Sequence, residues 1–297
     1  MTDHTLEDIV SILTQSKDYQ ILKRFERVES YHEESDEDKL IGVFLDTETT
    51  GLNYYSDKII ELALTPFEYT KDGRIFRILP SYSSFQDPGI SIPEHISLLT
   101  GITNEMVRGH NIDYHQIKEV IASAAVIIAH NACFDRKFVE AQFPCFMEKP
   151  WACTYTQIPW NKENITSAKL EYLAYKFGFF YQAHRAEMDC LVGVNILAQD
   201  LPISKTSVLK TLLGNAREKS YLIWAEKSPF EAKDILKSRG YRWNDGSNQK
   251  PKAWYIEISN ELKEEEMDFL YSEIYKRKVI LPIDTIDAFN RFSDRQK

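Results

Sequence analysis

The residues of this chain best equipped for chemistry are acidic and fall in three short motifs. The first is Asp46-Thr47-Glu48, which ends the apolar run 41–45. A strand points residues i and i+2 to one face, so both carboxylates project together. There they repel and desolvate each other unless a cation lies between them. Alone, the tripeptide is also what a polar strand end entering a turn looks like. The second motif, Asn131-Ala132-Cys133-Phe134-Asp135, follows the apolar run 126–129. Asn131 is an N-cap residue type, and Asp135 falls just past the first turn of the helix it opens, where its simplest role is to favour the helix dipole. Phe134 and Phe138, at i and i+4, read as core packing. The third motif is His184-Arg185-Ala186-Glu187-Met188-Asp189 at the start of another helix. Its loop histidine could swing over a metal that Asp189 holds.

The elements that must position these motifs are legible from periodicity. Residues 41–46 form a compact strand followed by the turn Thr49-Thr50-Gly51-Leu52-Asn53. Strands at 59–67 and 75–85 flank the hairpin turn Lys71-Asp72-Gly73. Helical stretches follow at 92–99, 104–108 and 113–123, then a buried strand at 126–129, a helix at 132–143 and a short strand at 151–155. Helices at 168–177 and 185–199 close the unit. A meander followed by alternating helix and strand predicts an α/β domain, a mixed sheet flanked by helices.

Past Leu201-Pro202-Ile203-Ser204, a helical connector leads to a second module with a strand in YLIWA, a helix ending at Gly240, strands at 241–243 and 253–258, and a last helix at 261–276. Ser228-Pro229-Phe230-Glu231 reads as an N-cap, a first-turn proline and a capping-box glutamate. This is a small β-α-β-β-α unit. Upstream, residues 5–14 form a short amphipathic helix leading to the polar stretch 29–38, read as a solvated tether. The chain therefore divides into an N-terminal helix and acidic tether (1–38), a main domain (39–203), a linker (204–219), an accessory domain (220–281) and a tail (282–297).

Composition excludes several classes. With 297 residues, 43% hydrophobic and 27% charged, the chain has core material for two domains and is neither disordered nor collagen-like. Its apolar runs are too short to span a bilayer. MTDHTLEDIV lacks a basic, apolar signal region, and the four cysteines form no CxxC pair, so a reduced cytoplasmic protein is expected. The net charge of −9 decides little, because residues 1–38 hold eleven acids against four bases and contribute −7 of it.

Taken together, strand D-x-E, helix-start N-x-x-F-D and H-x-A-x-x-D, in that order, resemble the DEDDh branch of the DnaQ-like 3′–5′ exonucleases, which have a ribonuclease-H-like core. The resemblance covers about residues 41–200. Arg185 stands four residues before Asp189, where the sibling branch has tyrosine, and Leu98-Leu99-Thr100-Gly101-Ile102-Thr103 is similar to a segment of proofreading-subunit homologues.

The resemblance implies two Mg²⁺ or Mn²⁺ ions, suited to hard carboxylate ligands. Asp46 would bridge both, Glu48 and Asp189 would complete one site, and Asp135 would serve the second. His184 is implied as general base, a role suited to histidine's reference pKa. It also implies release of nucleoside 5′-monophosphates from single-stranded DNA or RNA 3′ ends, with Thr49, Gly51 and Leu52 at the terminal nucleotide and Asn131 and Phe134 at the next. A replication or repair partner and a homodimer are compatible with it. The contrasting reading is a catalytically silent nucleic-acid-binding or polymerase-associated scaffold.

The accessory module has its own signal. Residues 227–252 carry seven bases against three acids around Tyr241, Trp243 and Trp254. Basic side chains beside aromatics suit single-stranded nucleic acid, and the stretch resembles small HARP-type modules of some DNA-processing ATPases. The aromatics are assigned to the module's own core, which so small a domain needs.

Overall fold

The computed structural model describes residues 5–247 and 250–296; Asp3 of the acidic count lies outside them. The chain opens with α1 (Leu6–Gln15), whose first turn is closed by a reciprocal capping box between Thr5 and Asp8. The segment that follows is not a solvated tether. β1 (Lys23–Arg24) pairs with residues 179–180, the Tyr31 amide donates to the Phe76 carbonyl, and Glu34 and Glu37 form ion pairs with Arg77 and Arg74. The acids of 29–38 thus answer a basic edge that only the fold assembles.

β2 (Leu40–Thr49) is buried on both faces, which explains its apolar start. It runs antiparallel to β3 (Ile59–Tyr69). β3 in turn pairs with β4 (Ile75–Ile78) and β5 (Tyr82–Phe85). The single strand expected at 75–85 is therefore two, parted at Leu79-Pro80, where proline cannot donate to the ladder. Three helices follow: α2 (Glu94–Thr100), α3 (Asn104–Val107) and α4 (Tyr114–Ala122). β6 (Ala124–Ala129) then enters parallel to β2, α5 (Ala132–Gln142) leaves its end, and β7 (Trp151–Cys153) adds parallel to β6. The sheet order is β4-β3-β2-β6-β7, with β5 on the other half of the β3 edge. α6 (Leu170–Lys176), the two-residue β8 (Phe179–Phe180) and α7 (Ala186–Leu197) complete the unit.

Helices cover both sheet faces, as the mixed pattern predicts. Phe44 of β2 packs with Val192 and Leu197 of α7, while its neighbours Val43 and Leu45 pack with Ile117 of α4 and Phe138 and Val139 of α5. α7 approaches β2 so closely that a Cβ on Gly193 would lie 2.2 Å from the Phe44 ring, a space only glycine leaves. The connector after residue 204 is a packed element, not a free linker: α8 (Val208–Arg217) buries Val208, Leu209, Leu212 and Leu213 in the same core.

The C-terminal module starts with β9 (Ser220–Ala225). A 3₁₀ turn at Phe230–Ala232 precedes α9 (Lys233–Ser238), and neither has a side-chain N-cap bond, so the capping box expected at Ser228 does not form. Gly240 does stop the helix, at φ 98°. β10 (Arg242–Trp243) and β11 (Trp254–Ser259) form the hairpin, and α10 (Lys263–Phe269) runs on into a π turn. Tyr241 is buried and donates to Glu266, as the structural assignment of the aromatics requires, whereas Trp243 is half exposed. A fourth strand, β12 (Ile283–Ile286), lies in what reads as tail and gives the antiparallel order β10-β11-β9-β12.

The rest of the tail crosses back to the main domain. Arg136 of α5, with no solvent exposure, donates through Nε to Glu140 (2.8 Å) and through its two Nη groups to the carbonyls of Arg291 (2.7 Å) and Phe289 (2.6 Å). The Trp151 amide of β7 donates to the Ala288 carbonyl, and Tyr54 donates to Asp294. The C-terminal segment thus holds the helix that carries Asp135 and the loop after the D-x-E motif.

Candidate active site

Strand alternation carries the site's logic to its end. Asp46 and Glu48 continue the Phe44 face of β2 and so meet α7, where Asp189 sits in the first turn. Ligand oxygens of Asp46, Glu48 and Asp189 lie within 4.8 Å of one another. Thr47 continues the opposite face and meets α5: Asp135 Oδ1 accepts from the Thr47 amide (3.1 Å) and hydroxyl (2.8 Å). The fourth carboxylate therefore enters around the strand edge, on a helix of the other layer. A bulge between Glu48 and Thr49 ends the regular pairing with β3 beside the site.

The carboxylates of the cluster repel one another. Burial, then the charges of Asp135, Asp189 and Glu48, hold the Asp46 carboxyl well above the usual range. Burial and the charges of Asp189, Glu61 and Asp135 push Glu48 up to about 8. Burial raises Asp135 to about 7 against the bonds from Thr47 that favour its ionised form, and Asp189 is raised as well. A positive charge beside the four would favour their ionised forms, and an oxygen-only donor set suits hard divalent ions such as Mg²⁺ or Mn²⁺.

Asp189 is held on both oxygens. Oδ1 accepts from the Tyr181 hydroxyl (2.7 Å), and Oδ2 from the amides of His184 (2.9 Å) and Arg185 (3.2 Å). His184 reaches this position through a left-handed backbone, φ 67°. Tyr181 escapes a sequence reading because nothing in its spacing ties it to Asp189, eight residues on. Tyr181→Phe is expected to lower the hydrolytic rate about tenfold and raise the Mg²⁺ concentration for half-maximal rate, since a hydrogen bond to a charged acceptor contributes roughly 1.5–3 kcal/mol. A metal titration of initial rates checks this; an unchanged titration would remove Tyr181 from the site.

Glu61 is also missed. It sits opposite Glu48 on β3, is buried, pairs with Arg185 (2.9 Å) and accepts from the Ala186 amide (3.0 Å), so it caps α7 and anchors the third motif. Its one signal is a lone acid in the apolar run I-I-E-L-A-L, since an acid is rarely fully buried unless paired.

The carboxylates open into a cleft of about 780 Å³ whose walls include Leu52, His130, Asn131, Phe134, Tyr181 and His184. Leu52 stands 84% exposed at the lip. Thr49 and Gly51 lie outside the residues that line the cleft: the Thr49 hydroxyl donates to the Gly51 carbonyl, and Gly51 abuts Asp57. Asn131 precedes α5 but caps nothing with its side chain. It takes the left-handed turn, φ 76°, that swings the chain from β6 into α5. His130 faces the cleft rather than away from it; its Nδ1 pairs with the Thr154 hydroxyl (2.7 Å), and burial lowers its pKa to about 4, which keeps the ring neutral.

Comparison with known proteins gives the chain a family. The sequence profile of an exonuclease family matches residues 43–197, just over half of the chain. A PolC-type DNA polymerase III of Clostridium perfringens is 33% identical over 53% of this chain, which spans only 11% of that protein. The DNA polymerase III subunit epsilon of Treponema pallidum is 30% identical over 51% of this chain and 72% of its own length. A solved E. coli exonuclease I in complex with an oligonucleotide superposes loosely, with a TM-score of 0.48 at 14% identity over 74% of this chain and 63% of that one.

Proposed function

The chain belongs to the DnaQ-like 3′–5′ exonuclease family, and on that premise we propose that it is a working enzyme that removes nucleotides from single-stranded 3′ ends. One observation carries the reading: Asp46, Glu48 and Asp189 converge within 4.8 Å at the floor of an open cleft that His184 also lines. Asp46, Glu48 and Asp189 would hold one divalent ion, and Asp46 with Asp135 a second. Bound Mg²⁺ or Mn²⁺ would supply Lewis-acid activation of the scissile phosphate and of water.

The protein's own groups do the rest. His184 takes the proton of the attacking water. Tyr181 and the amides of His184 and Arg185 fix Asp189. Leu52 wedges against the last bases, and Asn131 and Phe134 support the second nucleotide. Thr49 and Gly51 shape the turn that carries Leu52 to the lip. His184→Ala is expected to lower the rate about 10²–10⁴-fold, as loss of a general base does, with single-strand affinity held within about twofold; anisotropy beside initial rates tests it, and an unchanged rate excludes His184 as the base.

Degradation of 5′-labelled single-stranded DNA and RNA with Mg²⁺ or Mn²⁺, beside Asp46→Ala, tests the function. A metal-dependent ladder shortening from the 3′ end, absent in the variant, supports it. Intact oligonucleotides from a folded protein that still retards them would favour the silent scaffold. The polymerase names of the relatives favour a second reading, a proofreading partner, which co-purification with a replicative polymerase would test.

A further inference from the structure

The catalytic cleft does not end at the carboxylates. Leu52, Asn131 and Phe134 form its border with a second depression lined by Tyr54, Tyr55 and Lys137. Cys133 and Lys137 in turn belong to a groove of about 690 Å³ between α5 and the C-terminal module. The three hollows thus adjoin one another in a row from the site onto the second domain, a track marked by their shared walls.

Its chemistry changes along the way. The start is dominated by carboxylates, whereas the far groove is walled by Lys137, Lys219, Arg242 and Arg291, with Glu218, Glu257 and Asp294 opposing them. Two of these cations are committed: Lys137 to Asp294, and Arg291 to the carbonyls of Ala216 and Glu218. Lys219 and Arg242 are exposed, and neither forms an ion pair among the described residues. Between site and groove, Tyr55 presents a ring that is 79% exposed and backed by Tyr54 at 4.1 Å between centroids. The other way out, past Tyr155 toward Trp160, has Lys162 as its single lining cation among the described residues.

The geometry points to this track as the path of the single strand upstream of its 3′ end, with Tyr55 as a stacking platform and Lys219 and Arg242 as phosphate contacts from the second domain. Exposed aromatics and unpaired cations along a groove are what sequence-independent single-strand binding uses. The inference rests on the exonuclease reading but gives the C-terminal module a role of its own. The module holds substrate too long for the catalytic cleft, and the tail clamp on α5 keeps its half of the groove in register.

The test uses the full chain with Lys219→Ala and Arg242→Ala combined, surface changes remote from the carboxylates. Binding of a labelled single strand of about 20 nucleotides, beyond the site sizes of most single-strand-binding folds, is followed by anisotropy over a salt series without divalent ions. The double variant is expected to bind about tenfold more weakly, and the slope of log affinity against log salt to fall by about 1.4, the value for two lost single-strand phosphate contacts. Hydrolysis of a dinucleotide, which reaches only the cleft, should stay within about twofold of wild type. Unchanged affinity and slope would overturn the track, whether or not the protein hydrolyses anything. A wild type inert toward the dinucleotide would instead count against the exonuclease reading.

Discussion

Asp46→Asn is expected to abolish 3′-end hydrolysis, by about 10³-fold or more, and at the same time to make the metal-free protein more stable at alkaline pH. The two effects have one cause. Asp46 and Glu48 are half-buried beside like charges, and their carboxyls are raised, Glu48 to about 8. The folded protein therefore holds protons that the unfolded chain gives up near its ordinary carboxylate range, about pH 4. Stability is fully present below that pH and declines as the pH rises toward about 8. The asparagine side chain would remove one of the repelling charges, so the variant's metal-free melting temperature should fall less across that window. Mg²⁺ or Mn²⁺ is expected to reverse the wild-type decline by binding the folded state alone, and to do so much less in the variant. Melting curves at several pH values, with and without the ion, test this. Parallel wild-type and variant curves in the absence of metal would show that the carboxylates do not repel as the geometry requires.

Arg136→Met is expected to lower global stability by about 3–5 kcal/mol, the cost of stripping one partner from a buried ion pair. Its guanidinium is fully buried and supplies donors to Glu140 and to tail carbonyls, while lying 5.2 Å from the centre of the Trp151 ring. Methionine fills part of the volume but leaves Glu140 with Ser293 and Arg295 alone, and the tail carbonyls lose their strongest donor. Urea unfolding measures the loss. Combining Arg136→Met with Glu140→Gln should cost less than the two changes summed, because they share one network; strict additivity would deny the coupling. Because Asp135 is the preceding residue, and Tyr54 is tied to Asp294, activity should fall further than the folded fraction does.

The basic run of the second module shows how pairing edits a charge count. Arg239 is committed to Glu265 and Glu266 and lies against Phe269, and Lys250 faces Asp284. Arg242 is the member of this run that lines the track.

Most elements of the larger domain follow from local rules. Alternation and helix phase fix which way Asp46, Glu48 and Asp189 point from their own backbone, while the resemblance of the three motifs to a nuclease family is what singles them out as candidates. Periodicity likewise suffices for the main strands and helices of the larger domain, where long apolar runs leave little choice. The strands β1, β8 and β12, of two to four residues, escape it, since such short segments carry little period and form only against their partners.

What crosses between elements is settled only in the folded chain. The acids of 29–38 become an edge lock because Arg74 and Arg77 stand opposite them. Asp135 reaches the site from the other layer through Thr47, Glu61 becomes the cap of α7, and Tyr181 takes hold of Asp189. The residues read as a tail become the clamp that joins the two domains. In each case the deciding partner lies far along the chain or outside the motif, and a buried polar group must find its partner wherever the fold supplies one.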